Sequence, residues 1–318
     1  MTKQNRSAMV LAGLLAALVV VALVVIFSGE DEDGTVTMAR ADWSSGHMQA
    51  EVYAQLLGEL GYTVNDPADH TLNPNAFYPA LDSGQYDLWV NGWFPTHDRY
   101  LTAETAAGLE YDRNIEAVGN PVAGGGREGY MIDKATADSL GIATMDDLAA
   151  NAAAFDRDGD GLADLVGCPE GWGCYEVIND HISDFGWGSS VEHISGSDYD
   201  GPAQGVVDQI AAGESALFYA WIPNWTAEEL VPGGNVVWLE SPWPASSVRA
   251  VGNVDFLDDN PDVRRLLREV KIPLADISAQ NVRSRGANYT EAQLKSDASE
   301  WIAANRGLVD GWLATARG

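Results

Sequence analysis

Apolar positions along the chain recur in two rhythms, one of helical and one of extended spacing, and together they predict a mixed architecture. Thr35-Val36-Thr37-Met38-Ala39 reads as a strand. From Gln49 to Leu60 the residues Val52, Leu56 and Leu60 recur on one helical face, and Gly61 suits the helix end because it accepts φ > 0. Tyr62-Thr63-Val64 suggests a strand, Phe77 to Leu81 a short helix, and Asp87-Leu88-Trp89-Val90 a buried strand. Gly124-Gly125-Gly126 interrupts the pattern as a hinge or a loop, after which Gly129-Tyr130-Met131-Ile132 resumes it as a strand. Val263 to Val270 and Ala298 to Ala316 read as amphipathic helices, with Trp301, Ile302, Leu308 and Trp312 among the apolar positions. Asn260-Pro261 suits a helix start. Strands alternating with helices predict the α/β class.

The run from Ala8 to Phe27 fits neither rhythm. It is uncharged and mostly apolar, and at ~1.5 Å per residue it would reach ~30 Å, the thickness of a bilayer core. Lys3 and Arg6 precede it and Glu30-Asp31-Glu32-Asp33 follow it, which places the N-terminus inside and the remainder outside. No small-x-small cleavage site is evident near Ser28-Gly29, so an uncleaved anchor is favoured over a cleaved signal. In either case the main body is exported.

Composition narrows the choice of partners. With 47 acidic against 18 basic residues the net charge is −29. Such a chain repels nucleic-acid phosphates and anionic lipid surfaces. Cys168 and Cys174 are the only cysteines. In an exported chain two cysteines this close are expected to pair. A redox or metal pair is the other reading, and metal is disfavoured because no histidine or second cysteine pair lies nearby in sequence.

Three aromatic clusters carry the candidate chemistry. They are Asn91-Gly92-Trp93-Phe94-Pro95-Thr96-His97, Gly171-Trp172-Gly173-Cys174 and Tyr219-Ala220-Trp221-Ile222-Pro223-Asn224-Trp225. The first follows a predicted strand, the second precedes a predicted helix running through Ile178, Ile182 and Phe185, and the third follows the apolar run Ala216-Leu217-Phe218. All three are expected in loops at strand ends or helix starts, where open α/β sheets bind ligands. Among eleven tryptophans any single one is more often packing than function. The enzyme signatures G-x-S-x-G, H-E-x-x-H and the phosphate loop are missing, and no nucleophile partners His181 or His193 by motif.

The run Gly159-Asp160-Gly161-Leu162-Ala163-Asp164-Leu165-Val166-Gly167-Cys168-Pro169-Glu170-Gly171-Trp172-Gly173-Cys174 resembles the signature of the glycine betaine/proline betaine-binding proteins of ABC transporters. So do Tyr219-Ala220-Trp221-Ile222-Pro223, Val236-Val237-Trp238-Leu239, the stretch from Ile272 to Asn281, and Leu308-Val309-Asp310-Gly311-Trp312. The resemblance runs from about Thr35 to the end. It implies a trimethylammonium box of Trp93, Trp172 and Trp221, with the ligand carboxylate held by His97 and by the amides of Gly173 and Cys174. It also implies a disulfide between Cys168 and Cys174. Trp43, after the first strand, is a secondary candidate, as suited to packing as to a ligand.

The residue types suit that ligand. A quaternary ammonium has no N–H to offer, so a buried carboxylate would lose hydration with poor compensation. Indole faces instead offer negative quadrupole and apolar contact, ~0.5–2 kcal/mol per ring. The helix that starts at Gly173 presents first-turn amides to an anion.

The resemblance implies a two-lobed, type II-like periplasmic-binding-protein fold with two hinge strands. After an anchor and acidic linker over 1–34, one lobe takes 35–122 and 249–318 and the other takes 123–248. The expected partners are a betaine and an ABC permease with its ATPase. A choline-binding protein and a membrane-tethered betaine sensor are the alternatives. Asp156, Asp158, Asp160 and Asp164 occupy positions one, three, five and nine of a calcium-type loop, with Gly161 at six. Position twelve is Gly167 instead of a glutamate, so the loop reads either as an incomplete calcium site or as a polar turn.

Overall fold

The computed structural model describes residues 34–123, 125–286 and 288–318. The elements that frame the site begin with helix α1, His47–Leu60, whose buried Met48, Val52, Leu56 and Leu57 form one stripe. Gly61 closes it at φ 109°, in the left-handed region. Helix α2, Pro74–Asp82, starts at Asn73, whose side chain accepts from the Ala76 amide. Strand β1, Leu88–Phe94, is buried at all seven positions. Strand β2 is Ile115–Val118.

The chain then builds a second sheet. Its elements are β3 (Arg127–Asp133), β4 (Ala163–Val166), α3 (Gly173–Asp184), β5 (Val191–Ile194), α4 (Asp200–Ala211), β6 (Leu217–Ile222) and β7 (Val236–Trp238). The strand order is β5-β4-β6-β3-β7. β4 runs parallel to both β5 and β6, while β3 runs antiparallel to β6 and β7. The parallel pairs need crossovers, which α3 and α4 supply. The return strand β8, Ser247–Asn253, lies between β1 and β2, antiparallel to both. The architecture is thus mixed α/β, as the alternating pattern predicted.

Four helices finish the chain: α5 (Pro261–Glu269), α6 (Leu274–Ser284), α7 (Glu291–Ala304) and α8 (Arg306–Arg317). α7 packs on α1 and α8 on α5, which returns the C-terminal segment to the first sheet. Arg40 makes a two-pronged bond to Glu291, at 2.8 and 2.7 Å, across the same seam. Between the sheets the described residues 119–123 and 125–126 lead out and 239–246 lead back, and the Gly126 amide donates to the Ser246 carbonyl at 2.9 Å. Gly124, in the glycine run read as a hinge or a loop, lies outside the described residues, as does the apolar run Ala8–Phe27. Among the described residues no helix is long and apolar enough to cross a membrane.

Four expectations are corrected. β1 does not stop at Val90 but runs through Trp93 to Phe94, and β6 does not stop at Phe218 but runs through Trp221 to Ile222. Both continue because both faces are covered, and each stops where a proline removes the next ladder donor. Trp93 and Trp221 therefore stand on strand ends, not in loops. The stretch Ala298–Ala316 is divided between α7 and α8 at Asn305, whose side chain donates to the Trp301 carbonyl at 2.9 Å and closes the first helix. Leu308, counted as an apolar-face position, is 57% exposed.

Candidate functional site

Trp43, Trp93, Trp172 and Trp221, remote from one another in sequence, line one narrow cleft. Thr96, His97, Glu128, Gly173, Cys174 and Tyr219 complete its wall. The candidates Trp93, His97, Trp172, Gly173, Cys174 and Trp221 are therefore brought together, and Trp43 joins them. Trp172 meets two of the other rings edge to face. Trp172 lies 5.0 Å from Trp43 and 5.8 Å from Trp221 between centroids, with interplanar angles of 64° and 75°.

Hydrogen bonds fix the rings. Asn91 Oδ1 accepts from the indole N–H of Trp43 at 2.7 Å and of Trp93 at 2.9 Å. Asn91 and Trp93 alternate on the same face of β1, which makes the second bond local. Trp221 donates to Ser45 Oγ at 3.1 Å, tying β6 to the turn before α1. On the outer side Trp172 stacks on Tyr199 at 6.2 Å and 22°.

His97 is 3% exposed. The Trp93 amide donates to its Nδ1 at 3.2 Å, and the Tyr78 hydroxyl lies 3.0 Å from the same nitrogen. A backbone N–H can only donate, so Nδ1 is an acceptor and the ring proton is assigned to Nε2. Burial pushes the imidazolium down to about 3, so the ring is neutral and offers a single N–H.

Helix α3 begins beside it. Trp172 is the N-cap residue and its side chain does not cap the helix; the Tyr175 amide donates to the Trp172 carbonyl at 3.1 Å, while the amides of Gly173 and Cys174 have no intrahelical or side-chain acceptor. Gly173 suits this close approach: an added Cβ would sit 3.0 Å from Thr96 Cγ2 and 3.2 Å from His97 Cδ2, so both neighbours would have to give by a few tenths of an ångström. Cys174 in the first turn is joined to Cys168 by a disulfide. Ser195 further holds the Cys168 carbonyl at 2.8 Å. The site thus combines indole faces, one fixed imidazole N–H and a helix N-terminus, a set suited to a small molecule with a soft cation and a carboxylate.

The wall also contains a carboxylate that the sequence reading did not include. Glu128 stands directly opposite Trp221 across β3 and β6, so the two side chains share a sheet face. It is 5% exposed and accepts from the hydroxyls of Thr96, Ser246 and Tyr219, at 2.9, 2.7 and 2.8 Å. The three donors offset part of the penalty for burying the acid, and burial still holds its pKa above the ordinary carboxylate value. The apolar pattern marks the strand from Gly129, one residue past Glu128. Tyr219 was legible as the i−2 neighbour of Trp221 on the same face.

The family model for the substrate binding domain of ABC-type glycine betaine transport systems matches residues 34–304. The chain belongs to this family. The glycine betaine-binding periplasmic protein OusX of Dickeya dadantii (strain 3937) is 32% identical over 319 residues, covering 92% of this chain and 93% of that protein. The glycine betaine/proline betaine-binding periplasmic protein of Escherichia coli (strain K12) is 31% identical, covering 88% and 89%. In fold, the chain is similar to an ABC-transporter choline binding protein solved with choline, at TM-score 0.71 and 17% identity over 88% of this chain and 92% of that one. It is likewise similar to lactococcal OpuAC solved closed with glycine betaine, at TM-score 0.68 and 16% identity over 88% and 99%. This glycine betaine transport family consists of substrate-binding proteins, not enzymes, and its periplasmic members place this chain outside the cytoplasm.

The aspartate loop lies apart from the cleft. Asp156 accepts from the Gly159 and Gly161 amides, Asp158 from Asp160, Asp160 from Leu162, and Asp164 from Arg157. These bonds account for the aspartates as turn formers. The Asp156, Asp158 and Asp160 carboxylates lie within 4.8 Å of one another, and so do those of Asp158, Asp164 and Glu192. A glutamate at Gly167 would need the His193 ring to move, since a Cβ there would meet His193 Nε2 at 2.2 Å. Glu192 comes close instead because β5 pairs it with Asp164.

Proposed function

We propose that the protein captures a betaine, glycine betaine or proline betaine, in this cleft and delivers it to an ABC permease driven by its ATPase. The observation that carries this reading is the pairing of two unlike surfaces in one cavity. Four tryptophans face it, and beside them stand the Nε2–H of His97 and the amides of Gly173 and Cys174. The rings would hold the methylated ammonium at ~0.5–2 kcal/mol each, less ordering costs. His97 and the helix start would hold the carboxylate. The names of the relatives that cover this chain nearly end to end support the same solute.

In this reading the two sheets belong to two lobes, 35–122 with 249–318 and 123–248, joined by the two inter-sheet passages. Trp93 and His97 lie on the first lobe and Trp172, Gly173, Cys174 and Trp221 on the second, so a bound ligand favours closure, and the closed form is what the permease receives. The run 8–27 tethers the protein to the outer face of the membrane.

Titration calorimetry with glycine betaine, proline betaine, choline and dimethylsulfoniopropionate tests the reading. The two betaines are expected to bind and choline to bind far more weakly, because it leaves the His97 and α3 donors unpaired. Tight choline binding with negligible betaine binding would replace it.

A further inference from the structure

The cleft is lined by an acid that nothing basic answers. Glu128 projects into it from β3, opposite Trp221. Its three partners come from three places: Thr96 from the His97 turn, Ser246 from the return passage between the sheets, and Tyr219 from β6. All three are neutral hydroxyls, and among the described residues no lysine or arginine forms an ion pair with this carboxylate. A buried acid kept without a counter-ion is costly. Burial pushes its acidity down toward the neutral acid, while the hydroxyl donors pull it back toward the carboxylate. The three bonds hold the group from three sides.

We propose that Glu128 is the charge-selecting residue of the box, its fixed carboxylate acting as the counter-charge of the ligand's quaternary ammonium. No hydrogen bond to the ammonium is required, because the hydroxyls already satisfy the oxygens and only the through-space attraction is used. Indole rings pack against any rounded head group and favour a cation modestly, whereas a buried negative charge separates a cation from its uncharged isostere more steeply. This inference rests on the betaine reading of the cleft.

The test compares glycine betaine with 3,3-dimethylbutanoate, which carries a quaternary carbon where betaine has nitrogen and keeps the carboxylate. Calorimetric titration of the full chain is expected to favour betaine by roughly a hundred-fold or more. Glu128→Gln is expected to lower that ratio by roughly ten-fold, through weaker betaine binding, and Glu128→Asp, which keeps the charge, to restore most of it. An unchanged ratio in a folded Glu128→Gln protein overturns the proposal. So does a wild-type protein that binds the two compounds alike, a result that needs no variant to fold. A wild type that binds no quaternary ammonium at all overturns the betaine reading itself.

Discussion

One amide oxygen, Oδ1 of Asn91, accepts from two indoles, and one backbone amide, that of Trp93, sets the tautomer of His97. The site's precision therefore rests on polar atoms that never enter the cavity wall as ligand contacts. Trp172 touches Trp43, Trp221 and Tyr199 at once. Trp172→Ala is expected to weaken glycine betaine binding by roughly ten-fold or more, from the lost ring and the loosened neighbours. Binding equal to wild type would remove the box. His97 gives a second prediction. In the unfolded chain it titrates near 6.5, and in the folded protein near 3. Between those values the unfolded state binds the extra proton, so stability is full above 6.5 and is lost as pH falls toward 3. Melting temperatures at pH ~7 and ~4.5 should therefore differ less in His97→Gln than in wild type. Equal drops would show that the ring is not held neutral.

At the scale of elements, the start of α3 is fixed by a close backbone approach and a covalent bridge. Gly173 lets the His97 turn pack against the helix end, and the Cys168–Cys174 bridge closes a loop onto its first turn. Closing so short a loop restricts the unfolded chain by about 2 kcal/mol. The Cys168→Ser/Cys174→Ser double variant is expected to lose about that much in denaturant unfolding and to bind betaine more weakly. Loss of stability with full affinity would show that the helix start is fixed by packing alone. The cysteine spacing was legible in the sequence, and so was the helix after it. The extent of β1 and β6 was not, because whether a strand continues past Val90 or Phe218 depends on cover from other segments, which local periodicity does not report.

Across the whole molecule the acidic excess is the dominant electrostatic fact. A net charge of −29 makes the compact state repel itself, and added salt screens that repulsion within ~10 Å at 0.1 M. Raising sodium chloride from about 0.02 to 1 M is expected to raise the melting temperature in scanning calorimetry. A level or falling value would mean that ion pairs such as Arg40–Glu291 and Arg306–Glu59 outweigh the repulsion. The same seam of helices closes the C-terminal segment onto α1, a pairing across more than two hundred residues of sequence.

The sequence by itself determined the α/β class, the aromatic clusters, the cysteine pair and the family, because each is written in local spacing or in contiguous motifs. Only the tertiary structure decided that Trp43 joins the box. It also decided that Asn91, Ser45 and Tyr78 orient the box, and that Glu128 stands in its wall. Those are meetings of segments tens to hundreds of residues apart. Which face of a strand, and which partner across it, is set by register and burial, and those exist only once the chain has folded.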